Sequence, residues 1–588
     1  MAAAASPAQT DKDLASIAEA RALARRAKAA QLVLAEFSQA QVDSIIDAMA
    51  AAVTPHAEAL ARLAVEETGF GVLSDKIQKN LFGSKTVYDF IKPMKTVGVI
   101  NRIDDKRIIE IAEPFGVVAA IIPSTNPTST AIYKILISIK ARCAVVMTPH
   151  PSAAKCITQT ADIMYEAGRK AGLPDGAIGW MKTVTLEGTQ ELMKAREVSV
   201  ILATGGMGLV RAAYSAGKPA YGVGPGNAPC YIESSADVRK AASDILIGKS
   251  FDNGVLCSSP NSVVVDQVVD AEARRQFADQ GGYFLSPAET EALARQLITP
   301  QRLPNPAFVG KSAIYIAQKV GITVPPNTRA LIAELKGVGR DYPLSIEKLC
   351  PVLSYYVVKD WREGCQRCKE ILRYGGMGHT MSIHSQNEAV ILEFGLHKPA
   401  HRICVNTPST LGAIGFTTGL DPAMTLGCGG FGGNITSDNI SPRHLINVKR
   451  VAFELRPAPA ATPAPKVPEV RTVPDVPKGV VPAVPALPKA PAKPQPDGIT
   501  ADALTNRIDR FLATRGLAPA PSSAPQAPEA HQAPRASEPE KFICEDDVRL
   551  AVKSGRKLVI GERTIVTPAA RDAGEAAKIF VYSGWTQP

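Results

Sequence analysis

The sequence predicts an α/β protein built on doubly wound parallel sheets, and three observations lead there. Short segments at 116–123 (GVVAAIIP), 143–149 (CAVVMTP), 198–206 (VSVILATGG), 229–233 (PCYIE) and 262–266 (SVVVD) are apolar along nearly their whole length. Strands covered on both faces of a parallel sheet read this way, whereas half-solvated strands alternate. Helical stretches separate these segments, which is the order of a doubly wound fold. The length of 588 residues, 45% hydrophobic and 21% charged, is enough for several domains with full cores.

Alanine-rich helical patterns occupy residues 11–65, as in LASIAEARALARRAKAAQLVLAEF. In doubly wound sheets ligands sit beyond the carboxyl ends of the strands, so the segments that follow carry most information: PSTNPTST from Pro123, TPHPSAAK from Thr148 and TGGMGLV from Thr204. The body runs to about residue 455. Beyond it the composition changes, with 13 prolines from Pro457 to Pro496 and six more from Pro519 to Pro539. Neither stretch can keep a helical or ladder hydrogen-bond pattern, so 457–498 and 517–540 read as extended linkers. Between them, Ala501, Leu504, Ile508, Phe511 and Leu512 fall on one face of a helix over 499–516, with Gly516 as a stop. A short amphipathic helix between linkers is read as awaiting a partner. The terminal piece, 541–588, has a helical pattern followed by a hairpin-like KLVIGERTIVTP, and is too short to bury much core alone.

Composition excludes several classes. The net charge of +10 is spread without a basic run of five or more, which argues against nucleic-acid binding. No apolar run approaches the ~20 residues that cross a bilayer, so no membrane role is expected. Ten scattered cysteines and an N-terminus lacking an apolar signal core point to a reducing, cytoplasmic compartment without disulfides. Cys365 and Cys368 have metal-ligand spacing but no second pair, so they read as two unrelated thiols, and no metal is expected. Cys143, Cys230, Cys350, Cys404 and Cys428 lie in apolar or glycine-rich segments and read as structural.

The chemistry gathers around Cys257 in FDNGVLCSSPNSVVVD. A cysteine held between an Asn-Gly turn and a polar run is positioned by backbone, where a nucleophile can meet a small electrophile. Asn126, just past a strand end, can donate to an oxyanion formed when a thiolate adds to a carbonyl. Thr204, Gly205 and Gly206 follow a strand and open a helix, so bare backbone N–H groups could approach a pyrophosphate. His379 and His384 are expected either to line the substrate pocket or to be polar loop histidines.

The order and spacing of IIPSTNP, ATGG, GVGPGNAPCYIE, NGVLC, EKLCPV and GCGGFGGN resemble the aldehyde dehydrogenase superfamily, and within it the CoA-acylating members, over residues 10–455. That resemblance implies a Rossmann-type NAD-binding domain from 10–235 with a return at 420–455, and a catalytic domain from 236–419. It implies that Cys257 adds to the aldehyde, and that Asn126 and the Cys257 N–H form the oxyanion hole. Glu347 is implied to hold the nicotinamide ribose, with Pro123, Ser124, Thr204, Gly205, Gly206 and Leu209 along the cofactor. Hydrolytic members carry a water-activating glutamate where Val223 stands, 34 residues before Cys257. Valine cannot act as a base, so the thioester is expected to await the CoA thiol. The cofactor is expected to be NAD; the loop at 148–155 has no carboxylate for the adenosine ribose, and Lys155 keeps NADP open. The family's usual assemblies are dimers or tetramers.

The helix at 499–516 resembles encapsulation peptides that bring enzymes to bacterial microcompartment shells, where acylating aldehyde dehydrogenases consume short-chain aldehydes. The expected substrate is therefore propionaldehyde or acetaldehyde, and the expected place a microcompartment lumen. Two alternatives are a glutamyl-phosphate-reductase-like NADPH enzyme and a non-catalytic cargo scaffold. A bifunctional aldehyde-alcohol dehydrogenase is not expected, because no second catalytic domain of several hundred residues follows the body.

Overall fold

The computed structural model describes residues 7–456, 458, 542–561, 564–566 and 568–582. The linkers at 457–498 and 517–540 and the helix at 499–516 lie outside the described residues, apart from residue 458. Two compact units, Met1–Thr462 and Pro463–Pro588, divide the chain.

The first unit opens with helices Pro7–Leu34, Gln39–Val53 and Ala57–Thr68, where the alanine-rich patterns predict them. Ser38 starts the second with a capping box to Gln41. Ala20, Ala24 and Ala27 recur at helical spacing and are buried with Val117, Ala119 and Val146 of the sheet beneath, small residues that let helix and sheet approach closely.

An antiparallel ribbon of β1 (Gly98–Ile103) and β2 (Ile108–Pro114) follows. Then come β3 (Val117–Ile122), β4 (Ala144–Pro149), β5 (Ile178–Trp180), β6 (Val198–Thr204) and β7 (Ala220–Val223). They form a parallel sheet in the order β5-β4-β3-β6-β7. A second parallel sheet uses β8 (Ala228–Ile232), β9 (Pro260–Asp266), β10 (Gly282–Phe284), β11 (Ala330–Glu334), β12 (Val352–Val358), β13 (Gly378–His384) and β14 (Ala400–Val405). Its order is β10-β11-β12-β9-β8-β13-β14. The chain then returns: Leu426, Ile440 and Leu445 join the core of the N-terminal region, and β15 (Ile446–Ala452) pairs with β2 in a separate three-stranded sheet. The unbroken apolar segments of the sequence are β3, β4, β6, β8 and β9. Every residue of β3, β4, β8 and β9 is buried, as two-sided coverage requires.

The order of the first sheet reverses between β3 and β6, which opens a crevice beyond their carboxyl ends. Lys134, on the buried helix Pro127–Lys140, crosses this point and donates to the Ile121 and Leu202 carbonyls, 2.8 Å each. Burial brings its pKa down to about 7, so the amine serves as a hydrogen-bond strut between strand ends.

The second unit differs from expectation. Leu558–Ile560 and Ile565–Val566 do not form a hairpin. Each pairs in parallel with another strand, Phe580–Tyr582 and Phe542–Ile543 respectively. Parallel pairing needs a crossover, and the helices Glu545–Ser554 and Pro568–Ala576 lie in those connections. Ile543, Val548, Ala551, Leu558, Ala570 and Ile579 make its small core.

Gly378 begins β13 at φ 74°, and a Cβ there would lie 1.8 Å from the Cys428 carbonyl oxygen. Backbone, unlike a flexible side chain, cannot swing aside. Gly378→Ala is expected to cost about 2 kcal/mol or more and to lower Tm by about 2 °C in calorimetry. An unchanged Tm would contradict this close approach.

Candidate active site

A cavity of about 860 Å³ opens beyond the carboxyl ends of the first sheet. All nine residues singled out from the sequence line it: Cys257, Asn126, Pro123, Ser124, Thr204, Gly205, Gly206, Leu209 and Glu347. Val223, the last residue of β7, lines it too.

Cys257 lies in a turn that leads into β9, closed by Ser259 N–H donating to the Leu256 carbonyl. Ser258 and Ser409 tie this turn to the segment Ser409–Gly412: Ser258 Oγ donates to the Thr410 carbonyl at 3.1 Å, and Ser409 Oγ to the Ser258 carbonyl at 2.8 Å. Just upstream, Asp252, Asn253 and Gly254 all have positive φ, at 49°, 53° and 72°. Such a run is costly for residues with a side chain and needs strong external fixation. The fixation is a buried ion cluster that the sequence did not announce. Asp252 is fully buried, accepts from Lys76 Nζ at 3.1 Å and from Lys79 Nζ, and accepts from the Val72 N–H at 2.7 Å. Both lysines come from one face of helix Leu73–Leu81 and are themselves buried. Gly71 leaves room for the carboxylate, since a Cβ there would fall 1.9 Å from Asp252 Oδ1.

The same cluster orients Asn126. Asparagine is a favoured N-cap, yet Asn126 makes no side-chain cap to the helix it precedes. Its Oδ1 instead accepts from Lys79 Nζ at 2.6 Å. An ammonium only donates, so the amide orientation is fixed and Nδ2 is its donor end. One network therefore holds both the turn before the thiol and the amide that shares its cavity.

Gly226 forms a second close junction. A Cβ on it would meet the Cys257 carbonyl oxygen at 2.0 Å, so this position in VGPGNAP has to be glycine. Its N–H donates to Glu347 Oε1 at 2.9 Å. Burial raises Glu347 to about 8, against the opposing pull of that hydrogen bond and of Lys249 and Lys348. Burial also pushes the Cys257 thiol up to about 12, with Glu347 and Cys428 adding to the shift and Arg402 opposing it. At neutral pH both groups therefore hold their protons. Glu347 is the one carboxylate among the described residues that line the cavity.

The loop after β6 has the features of a ligand cradle. Thr204 Oγ1 is buried without a hydrogen-bond partner, and nothing lies within 4 Å of where a Cβ on Gly206 or Gly208 would stand. Helix Met207–Tyr214 starts there. Near the other flank of the cavity, Glu67 from helix Ala57–Thr68 accepts from the N–H groups of Lys155 and Cys156, 2.8 Å each. The carboxylate that the loop at 148–155 lacks thus arrives from elsewhere in the chain, a contact no local pattern signals.

His379 and His384 correct the sequence reading. Both sit on β13, are buried, and neither lines the cavity nor occupies a polar loop. Burial brings each pKa down to about 3, so both are neutral. Cys143, Cys230, Cys350, Cys404 and Cys428 are buried thiols, as read from the sequence, and Cys428 touches the electrostatics of Cys257.

Comparison with known proteins agrees with this architecture. The aldehyde dehydrogenase family pattern matches residues 5–281. The chain is 43% identical over 442 residues to the bifunctional aldehyde-alcohol dehydrogenase AdhE of Escherichia coli (strain K12), a match covering 74% of this chain and 49% of that relative. It spans about half the length of the first curated relatives it matches. Among solved structures, an acetylating aldehyde dehydrogenase from Geobacillus thermoglucosidasius superposes with a TM-score of 0.75 at 48% identity, covering 76% of this chain and 99% of that one. A propionaldehyde dehydrogenase from the Clostridium phytofermentans fucose utilisation bacterial microcompartment gives a TM-score of 0.66 at 30% identity, covering 73% and 96%. With its two parallel sheets, its cavity thiol and its near-complete coverage of these structures, the chain belongs to the aldehyde dehydrogenase family.

Proposed function

We propose that this chain oxidises a short-chain aldehyde, propionaldehyde or acetaldehyde, to the corresponding acyl-CoA with NAD and coenzyme A, through a thioester on Cys257. The observation that carries this reading is Val223. The cavity presents a thiol but, at the position where hydrolytic relatives hold a water-activating glutamate, only an apolar side chain. The remaining carboxylate, Glu347, is engaged by the Gly226 N–H and protonated at neutral pH. A thioester formed here meets no ready general base for water, so a stronger nucleophile, the CoA thiol, decides its fate.

In this mechanism Cys257 Sγ adds to the aldehyde carbon and the carbonyl oxygen becomes an oxyanion. The Asn126 amide, aligned by Lys79, donates to that oxygen. When bound beside Cys257, a nicotinamide would supply the hydride acceptor that this oxidation needs. The chain's residues fit such a cofactor: Thr204 Oγ1 lacks a partner inside the protein, and the Gly206–Gly208 backbone is open to phosphates. Glu347 would face the nicotinamide ribose. Glu67 supports NAD over NADP, since its carboxylate already occupies the Lys155 and Cys156 N–H groups and would repel a 2′-phosphate there. The CoA thiol then adds to the thioester carbonyl, the acyl–Sγ bond breaks, and Cys257 leaves as the thiolate while the acyl group stays on CoA. The likeness to a microcompartment propionaldehyde dehydrogenase, together with the amphipathic pattern at 499–516, supports a place among microcompartment cargo. Exposed Val99, Val448 and Val451 on the three-stranded sheet support self-association into dimers or tetramers.

With propionaldehyde or acetaldehyde, cofactor reduction beyond the first turnover is expected to require CoA and to run faster with NAD than with NADP. Sustained CoA-independent turnover to the free acid would overturn the reading. Asn126→Ala is expected to lower kcat by about 100-fold, the usual effect of losing an oxyanion donor. Lys79→Met should lower it by roughly tenfold with KM little changed, because it misorients the amide without removing it. An effect on KM alone would contradict that role. Finally, alkylation of Cys257 by iodoacetamide in the cofactor-free enzyme is expected to accelerate about tenfold per pH unit from pH 7 to 9, following the thiolate fraction. A plateau below pH 8 would show that the thiol is not held protonated.

A further inference from the structure

We propose that Cys365 and Lys398 form a redox modification site, in which a single oxygen atom bridges sulfur and nitrogen as a reversible Sγ–O–Nζ crosslink. Cys365 stands on helix Trp361–Tyr374, and Lys398 lies between helix Glu388–Leu396 and β14. Their Sγ and Nζ are 2.6 Å apart. Hydrogen bonds from nitrogen to oxygen rarely fall below about 2.7 Å, and sulfur is the larger atom. The pair is therefore packed closer than a hydrogen bond to sulfur calls for, at a separation one intervening oxygen spans.

The lysine is built into this position. A surface lysine extends its ammonium to water; Lys398 keeps only 6% of its surface exposed, and Cys365 only 8%. The amine lies 3.3 Å from the centre of the Phe394 ring, and its other acceptor is the Phe394 carbonyl at 3.4 Å. Its partners are thus a sulfur, a ring face and a carbonyl. Burial holds its pKa below that of an ordinary lysine, which favours the free amine that oxidation requires. Neither residue lines the cavity of Cys257, so the site is separate from turnover.

The step balances with dioxygen as oxidant. The lysine N–H and cysteine S–H bonds break, N–O and O–S bonds form, and one oxygen atom stays in the bridge. The second oxygen leaves as water with the two released hydrogens; sulfur and nitrogen each give up two electrons, and dioxygen takes four. Two equivalents of a dithiol reductant, each giving two electrons as it closes to a disulfide, reverse it and return thiol, amine and water. The link would fasten the helix that ends at Gly375 and Gly376, and Gly376 abuts the Asn227 N–H next to Gly226.

The test is peptide mapping by mass spectrometry on the full chain, after air-saturated buffer and after anaerobic dithiothreitol. The expected result is a linked pair of peptides carrying Cys365 and Lys398, heavier than their sum by one oxygen and lighter by two hydrogens. It should vanish with dithiothreitol and be absent in Cys365→Ser and Lys398→Met. A linked pair without the extra oxygen, a Cys365–Cys368 disulfide, or only unlinked Cys365 after air exposure would overturn the proposal. The unmodified sequence alone decides among these, whatever the variants' stability.

Discussion

The carboxylate of Asp252, buried between Lys76 and Lys79, is the interaction on which the candidate active site depends. On one side it fixes a turn with three consecutive positive φ values that aims Cys257 into the cavity. On the other it anchors Lys79, which aligns Asn126. Magnitudes explain why so many charges are buried together. Each left-handed non-glycine residue costs of order 1–3 kcal/mol, while removing one partner from a buried ion pair costs about 3–5 kcal/mol. The cluster therefore holds the strained turn firmly, a few residues ahead of Cys257.

Gly226 adds the second constraint and joins the two sheets functionally. Its missing side chain lets the loop between β7 and β8 lie against the Cys257 backbone, and its N–H holds Glu347. The same loop begins at Val223, where an acidic side chain would have faced the cavity. One short segment thus shapes the surroundings of Cys257, engages the Glu347 carboxyl and turns the apolar side chain of Val223 to the cavity. Burial keeps both the Cys257 thiol and the Glu347 carboxyl protonated at neutral pH.

Much of this was legible in the sequence because it is local. Unbroken apolar runs gave β3, β4, β6, β8 and β9, and the residues just past strand ends gave Asn126, Thr204 and the glycines of the cradle. Lys76, Lys79 and Asp252 were not legible, since their contacts join positions more than 170 residues apart and two lysines on a helix ordinarily read as a solvated face. Glu67 escaped for the same reason. His379 and His384 were misread because their polar neighbours hid a fully buried strand. The C-terminal hairpin failed on a different point: strand propensity marks strands but not their partners, and two short helices allowed parallel crossovers instead.

The central claim is that Cys257 carries an acyl group that water does not readily remove. Mass spectrometry of the Cys257 peptide, after incubating the enzyme with propionaldehyde and NAD but no CoA, tests it most directly. A propionyl adduct on Cys257 that persists, and is discharged within seconds of adding CoA, is the predicted result. An unmodified Cys257 with free propionate accumulating in the same mixture would contradict it.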